Sequence, residues 1–160
     1  MFKAAVLTVS DRCSRGEYAD QSGKVIIEII KGSGGEVVRY DIVPDEEDAI
    51  KEKLISYCDE LKVDLVLTTG GTGLGPRDVT PEATGKVAER IVPGISEFMR
   101  MEGLKKTKNS ILSRGISAVR KNTLIINLPG SPKGAAESLM SIVDVIPHAL
   151  LMIRGEGHGS

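Results

Sequence analysis

Four short apolar runs constrain the fold of this chain more than any other feature of the sequence. Each run is rich in branched side chains and bounded by polar residues, glycine or proline, which is typical of buried strands. The runs cover residues 4–9, 37–43, 65–68 and 124–128. Because stretches with a helical repeat lie between them, we expect strands and helices to alternate.

Helical periodicity marks the intervening stretches. Apolar residues recur every three or four positions over 50–61 and over 139–146, and 25–30 is apolar enough to pack on a sheet. This order predicts an α/β fold in three layers, with a mostly parallel sheet between helices on both faces. Two strand-like runs flank residues 120–122, so a hairpin should add an antiparallel pair and make the sheet mixed.

Composition fits one globular domain. The 160 residues are 41% hydrophobic and 27% charged, and the net charge of -1 gives no general attraction to nucleic acid or an anionic membrane. We expect a domain over 1–154, a flexible tail over 155–160, and no apolar run long enough to span a membrane. Cys13 and Cys58 are too few for a disulfide framework, so we expect reduced cysteines and a cytoplasmic location.

The strongest functional pattern is LTTGGTGLGPRDVTPEAT, residues 67–84. Gly70, Gly71 and Gly73 can adopt positive φ and turn consecutive backbone N–H groups toward one anion, while Thr69 and Thr72 add hydroxyl donors. The spacing matches neither the P-loop nor the dinucleotide motif. A plain tight turn is the alternative, although it would need only one or two glycines. We predict a phosphate-binding loop.

Two aspartates follow strands at positions that suit a metal ion. Asp78 comes after the glycines, just before a predicted helix with Thr80 as N-cap and Pro81 in the first turn, and Asp45 follows the second strand. Both could equally be turn or capping residues. If they converge from neighbouring parallel strands on one phosphate crevice, they would suit Mg²⁺-assisted phosphoryl or nucleotidyl transfer.

Two further loops remain ambiguous. In NLPGSPKG, Ser131 and Pro132 can be explained as an N-cap and a first-turn proline after Gly130, but the helix start would also offer N–H groups to an anion. Ser113, in ILSRG, could begin a strand or contact a ligand.

The segments VPDE, LTTGGTG, PRDVTPEAT, ILSRG and LIINLPGSPKG, in this order and spacing, resemble the molybdopterin adenylyltransferase family of molybdenum cofactor biosynthesis, which includes the first domain of gephyrin. The resemblance runs from about residue 6 to about residue 153. It implies the molybdopterin-binding fold and a Mg²⁺-dependent transfer of AMP from ATP to the terminal phosphate of molybdopterin, with release of pyrophosphate. It also implies a homotrimer, whose product could be handed over to the metal-insertion enzyme.

Carried over by position, the resemblance makes Asp45 and Asp78 the catalytic acids and the Mg²⁺ ligands. The loop analysis and the resemblance together predict a substrate-binding and nucleotide-binding set: Ser10, Asp11, Thr69, Gly70, Gly71, Thr72, Gly73, Ser113, Pro129, Gly130, Ser131 and Pro132. A non-catalytic molybdopterin-binding or carrier protein of the same pathway is the alternative. Such a carrier would keep the anion-binding loop but would need neither aspartate, so the presence of both favours an enzyme.

Overall fold

One mixed sheet of six strands organises the computed structural model, which describes residues 1–156. The strands are β1 Phe2–Val9, β2 Gly35–Val43, β3 Leu65–Thr69, β4 Arg90–Ile91, β5 Ser117–Arg120 and β6 Thr123–Leu128. Their order across the sheet is β2-β1-β3-β6-β5-β4. The pairs among β2, β1, β3 and β6 are parallel, and β5 pairs antiparallel with β6 and β4. The predicted mixed sheet and its hairpin are confirmed.

Helices cover both faces of this sheet. Within residues 1–156 they are α1 Asp11–Ser14, α2 Gln21–Gly32, α3 Glu47–Ile55, α4 Thr80–Val87, α5 Pro93–Gly103, α6 Pro132–Ile142 and α7 Ile146–Ile153. A π-helical turn, Ser56–Glu60, continues α3, and 3-10 turns occupy Lys108–Leu112 and Val143–Val145. The helical repeat over 139–146 therefore crosses from α6 through a 3-10 turn into α7.

Two apolar cores lie on opposite sides of the sheet, because successive side chains of a strand point to opposite faces. Ala4 and Val6 of β1 join the core that contains residues of α2, α5, α6 and α7. Ala5 and Leu7 join the second core, with residues of α3 and α4. The predicted three-layer α/β architecture is confirmed.

The expectation that no apolar stretch is long enough to span a membrane is wrong. The helical segment Pro132–Ile153 has 22 residues, and an 18-residue window within it has a mean hydropathy of 1.5, which suffices by length and composition alone. The sequence did not reveal this because the single apolar runs of the segment are short, and only the helical segment joins them. In the fold, the segment contributes Ala135, Leu139, Ile146 and Leu150 to the first core, as a helix packed on a sheet does.

The first two residues of the predicted tail, Gly155 and Glu156, lie in the described part of the chain. Gly155 and Glu156 close α7, since their N–H groups donate to Met152 O and Leu151 O at 2.9 and 2.8 Å. Residues 157–160, which include His158, lie outside the described part of the chain. The assignment of residues 1–154 to one domain stays a prediction.

Candidate functional site

The carboxyl ends of β2, β1 and β3 bring three acidic loops to one edge of the sheet. Asp45 follows β2, Asp11 follows β1 and Asp78 lies in the loop after β3. We expected Asp45 and Asp78 to follow neighbouring strands, and this is wrong, because β1 lies between β2 and β3. Asp11 therefore occupies the position between the two predicted catalytic acids.

The glycine-rich loop begins with two residues of positive φ. Gly70 has φ +98° and Gly71 has φ +70°. A Cβ atom on Gly70 would lie 2.2 Å from Val9 O, and one on Gly71 would lie 2.2 Å from Thr80 Oγ1. Both the backbone conformation and the close packing therefore require glycine at these two positions.

Gly73 is a glycine for a different reason from the one predicted. The positive-φ residues of the described chain do not include it. A Cβ atom there would lie 2.9 Å from Asp78 Oδ2, and the same holds at Gly75. The loop thus closes tightly around the Asp78 carboxylate, which a larger residue at either position would displace.

Four consecutive backbone N–H groups of the loop are unpaired in the described part of the chain. Among residues 1–156, no acceptor is hydrogen-bonded to the N–H groups of Gly71, Thr72, Gly73 or Leu74. Gly75, the next residue, donates to Asp78 Oδ2 at 2.9 Å. A run of free N–H groups after two positive-φ glycines is the arrangement that binds phosphate oxygens.

Thr80 holds this loop against the start of α4. It is the first residue of the helix, and the N-cap is Val79, which makes no side-chain capping bond, so the predicted N-cap is wrong by one residue. The Thr80 N–H donates to Gly71 O at 3.0 Å and its hydroxyl donates to Gly70 O at 2.9 Å. The threonine is used to fix the glycine carbonyls rather than to cap the helix.

Asp11 and Asp45 are hydrogen-bonded to each other in both directions. The Asp11 N–H donates to Asp45 Oδ2 at 2.8 Å, and the Asp45 N–H donates to Asp11 Oδ1 at 3.0 Å. The N-cap of α3 is Glu46, without a side-chain capping bond, so Asp45 is not the capping residue that its position suggested. Its carboxylate instead joins the loops that follow β1 and β2.

Arg77 extends this link to the glycine-rich loop. Its Nε and Nη2 atoms donate to the two carboxylate oxygens of Asp11 at 3.1 and 2.9 Å. These bonds, and the bond from the Asp45 N–H, lower the pKa of Asp11. The pair joins residues 66 positions apart, and no periodicity or local motif in the sequence could have revealed it.

The environment of Asp45 disfavours its charged form. Burial raises the pKa of Asp45, the hydrogen bond from the Asp11 N–H opposes this, and the negative charges of Asp11 and Asp78 raise it further. The second oxygen, Oδ1, lies 3.4 Å from the position of a Cβ atom on Gly71, so the carboxylate borders the loop. Carboxylates that repel one another beside an anion-binding loop suit a divalent cation.

Asp45 and Asp78 are the side chains at this edge that could hold Mg²⁺, but they do not enclose it. Residues 1–156 contain no group of three or more His, Cys, Asp or Glu side chains with the geometry of a metal site. Asp45 and Asp78 each use one carboxylate oxygen to accept a backbone N–H. One or two carboxylates completed by water and substrate phosphate are the usual protein ligands of Mg²⁺.

Two cavities open beside the loops. One, of about 390 Å³, is lined by the predicted residues Ser10, Thr69, Gly70, Gly130 and Pro132. The other, of about 530 Å³, is lined by Ser113, Pro129 and Ser131. The remaining predicted residues, including both catalytic aspartates, line neither cavity. The smaller cavity is linked to the acids through the glycine-rich loop. Gly70 lines this cavity, and its neighbour Gly71 borders the Asp45 carboxylate.

Several predicted ligand-binding hydroxyls are used within the protein. Thr69 Oγ1 donates to Pro129 O at 2.6 Å, which ties the glycine-rich loop to the loop after β6. Ser10 Oγ accepts from Cys13 N at 3.1 Å and caps α1, and Ser131 Oγ accepts from Gly134 N at 3.0 Å and caps α6. Thr69 therefore does not offer its proton to a ligand here, and the oxygens of the two serines accept N–H groups at the starts of α1 and α6.

Gly130 brings the two loops into direct contact. A Cβ atom on Gly130 would lie 3.3 Å from Gly70 Cα, and its carbonyl accepts from Ser22 Oγ at 2.6 Å. The predicted loops after β3 and β6 are thus assembled into one surface. The sequence pointed to each loop separately but not to their contact.

Comparison with known proteins gives a consistent result. The family model described as "Probable molybdopterin binding domain" matches residues 5–148. The molybdopterin adenylyltransferase of Helicobacter pylori strain J99 is 47% identical over 152 residues, covering 94% of this chain and 86% of that protein. Gephyrin of Dictyostelium discoideum is 42% identical over 97% of this chain and 23% of its own length. The crystal structure of the molybdopterin biosynthesis enzyme MoaB of Thermus thermophilus superimposes with a TM-score of 0.92 at 52% identity, covering 97% of this chain and 98% of that chain.

Proposed function

The chain belongs to the molybdopterin-binding domain family that includes the molybdopterin adenylyltransferases, and on this premise we propose that it transfers AMP from ATP to the terminal phosphate of molybdopterin. One observation carries the proposal. A chain 47% identical to such an enzyme over 86% of its length presents four free N–H groups beside Asp45 and Asp78. The proposed role is therefore a step in molybdenum cofactor biosynthesis.

The proposed reaction is one displacement at phosphorus. An oxygen of the terminal phosphate of molybdopterin attacks the α-phosphorus of ATP, and the bond from that phosphorus to the oxygen bridging to the β-phosphorus breaks. Pyrophosphate leaves with the bonding electrons, and adenylylated molybdopterin remains. Because phosphoryl transfer depends mainly on positioning and charge stabilisation, the N–H groups of 71–74 would hold phosphate oxygens while the acids orient the reacting groups.

We propose that Asp45 and Asp78 would hold a Mg²⁺ ion in this reaction. When bound, the ion would neutralise the negative charge of the phosphates, which otherwise repels both the incoming phosphate and the nearby carboxylates. The support is that Asp45 Oδ1 borders Gly71 and the Asp78 carboxylate is held in the same loop by the Gly75 N–H, with burial and the charges of Asp11 and Asp78 raising the pKa of Asp45.

A label on the α-phosphate of ATP tests this function. With molybdopterin, ATP and Mg²⁺ present, the purified protein should move the α-phosphate label into a pterin product, whereas a γ-phosphate label should leave as pyrophosphate. If the protein binds molybdopterin but moves no label, the chain is the non-catalytic carrier and the proposal is wrong.

We further propose a cytoplasmic homotrimer that passes its product to a metal-insertion enzyme. Both cysteines are free, which suits a reducing compartment. Exposed apolar side chains cluster along α5 and the 3-10 turn after it, and such clusters favour subunit contacts: Phe98, Met101, Leu104, Ile111 and Leu112. Analytical ultracentrifugation should give three times the chain mass, and a stable monomer would contradict the trimer.

A further inference from the structure

Arg114, which lies just before β5, contacts the glycine-rich loop at both of its ends. We propose that Arg114 is a positioning residue of the adenylyl transfer site, which fixes the loop from Thr72 to Asp78 and thereby the orientation of the Asp78 carboxylate. The inference rests on the proposed function for its catalytic consequence, but not for its effect on the loop.

The contacts of Arg114 span the loop. Its backbone N–H donates to Thr72 O at 2.9 Å. Its Nε donates to Gly73 O at 2.7 Å, and its Nη2 donates to Asp78 O at 2.7 Å. One residue thus binds the carbonyl groups that begin and end the segment in which the Asp78 carboxylate is held.

The same guanidinium joins the loop to α4. Nη1 and Nη2 donate to the two carboxylate oxygens of Glu82 at 2.6 and 3.3 Å. The bond from Arg114 lowers the pKa of Glu82, which keeps this partner charged. Two carbonyls and a carboxylate match the several donors that arginine holds in a fixed fork, and a lysine ammonium could not reach them all.

Arg114 is itself attached to the sheet. Arg100 Nη1 donates to the carbonyls of Ser113 and Gly115, at 3.2 and 2.9 Å, on either side of Arg114. Two residues later the Ile116 N–H donates to Asn127 Oδ1 of β6 at 3.1 Å. The position of the loop is therefore set relative to α5 and β6, and not only by its own turn geometry.

Displacement of this loop should slow the chemical step. The Asp78 carboxylate accepts the Gly75 N–H, so its orientation changes when the loop moves. Misplacement of a catalytic group by about 1 Å can reduce a rate by roughly 100-fold. Since the free N–H groups and the acid belong to the same segment, loss of Arg114 should lower kcat.

Arg120 provides a matched control. Its Nε and Nη2 donate to the two oxygens of Asp59 at 3.1 and 2.8 Å, and its Nη1 donates to Val87 O at the end of α4 at 3.0 Å. It therefore makes the same kinds of bonds as Arg114, to a carboxylate and a carbonyl, without touching the glycine-rich loop. Substitutions at the two positions separate positioning from a general loss of stability.

Hydrogen–deuterium exchange and pyrophosphate release together test the proposal on Arg114→Ala, Arg114→Lys and Arg120→Ala. In Arg114→Ala, the amides of Gly75 and Asp78, which are hydrogen-bonded inside the loop, should exchange at least about 10-fold faster than in the wild type, and kcat should fall by about 100-fold. Arg114→Lys should restore neither property fully. Arg120→Ala should leave both at the wild-type level.

Equal exchange of the Gly75 and Asp78 amides and equal kcat in Arg114→Ala and Arg120→Ala would overturn the proposal. If Arg114→Ala does not fold, the comparison of Arg114→Lys with Arg120→Ala decides it by the same criteria. Absence of pyrophosphate release from the wild type would refute the proposed function instead, and the exchange measurement would still decide whether Arg114 holds the loop.

Discussion

Asp11 and Asp45 are joined by two reciprocal hydrogen bonds, in which the backbone N–H of each residue donates to the carboxylate of the other, at 2.8 and 3.0 Å. The loops that follow β1 and β2 are thereby fixed to one another. Arg77, which follows the glycines, also binds the Asp11 carboxylate. The glycine-rich loop is therefore connected to the Asp11–Asp45 pair. The acidic edge of the sheet is therefore ordered by backbone donors and by Arg77.

Asp45→Asn should separate stability from activity. The amide oxygen can still accept the Asp11 N–H, and the buried charge whose pKa is raised disappears, so Tm should equal or exceed that of the wild type. Turnover should fall by on the order of 100-fold or more, since loss of even an outer partner of a metal ligand typically costs 10–100-fold. Calorimetry and a turnover assay on one preparation check both, and a destabilised but active variant would contradict this assignment.

Gly70→Ala should destabilise the protein. A positive φ costs a non-glycine residue of order 1–3 kcal/mol, and the new Cβ atom would also meet Val9 O. The control is Gly85→Ala in α4, where a Cβ atom has no neighbour closer than Ile116 Cδ1 at 3.9 Å. That change should stabilise the helix by roughly 0.5–1 kcal/mol. Urea denaturation of both variants measures the difference, and equal midpoints would contradict the required glycine conformation.

The two cysteines should differ in reactivity, and one of them should report on ligand binding. Burial raises the pKa of the Cys58 thiol to about 11, so only about one molecule in a thousand would be the thiolate near pH 8. Cys13 lines the smaller cavity. Iodoacetamide should therefore modify Cys13 first, and substrate should slow this reaction. Unchanged labelling of Cys13 in saturating molybdopterin and ATP would show that neither substrate occupies that cavity.

The charged carboxylate of Asp59 should stabilise the protein at neutral pH but not at strongly acidic pH. The hydrogen bond from Arg120 lowers the pKa of Asp59, so its stabilising effect is present above the pKa of an unfolded aspartate, about 3.9. The effect is lost as the pH falls through the lower, folded-state value. Asp59→Asn should thus lower Tm at neutral pH and converge with the wild type in acid. A Tm difference that persists unchanged at the lowest accessible pH would contradict this.

The sequence predicted the layers better than the contacts between loops. Alternating apolar runs and helical repeats suffice to predict a three-layer sheet, because periodicity reports which faces are buried. They do not give strand order, and Asp45 and Asp78 were therefore expected on neighbouring strands, although β1 separates β2 from β3. The length of segment Pro132–Ile153 was missed because its single apolar runs are short, whereas the helical segment that contains them is continuous.

The site shows the same limit. The glycines were recognised from composition, and positive φ is confirmed at Gly70 and Gly71 but not at Gly73, where a Cβ atom would meet the Asp78 carboxylate. The roles of Arg77 and Arg114 depend on pairs distant in sequence, and a single arginine after a loop carries no local signal of its partner. Residue types thus revealed the chemistry, and only the fold revealed what holds it in place.

The most direct measurement is pyrophosphate release by the wild type and by Asp78→Ala, with molybdopterin, ATP and Mg²⁺ supplied together and then omitted one at a time. The account predicts that release requires all three components and falls by on the order of 100-fold or more in the variant, which should remain folded because Asp78 lies in a loop outside both cores. Full release by folded Asp78→Ala, or release without molybdopterin at the same rate, would contradict adenylyl transfer at this site.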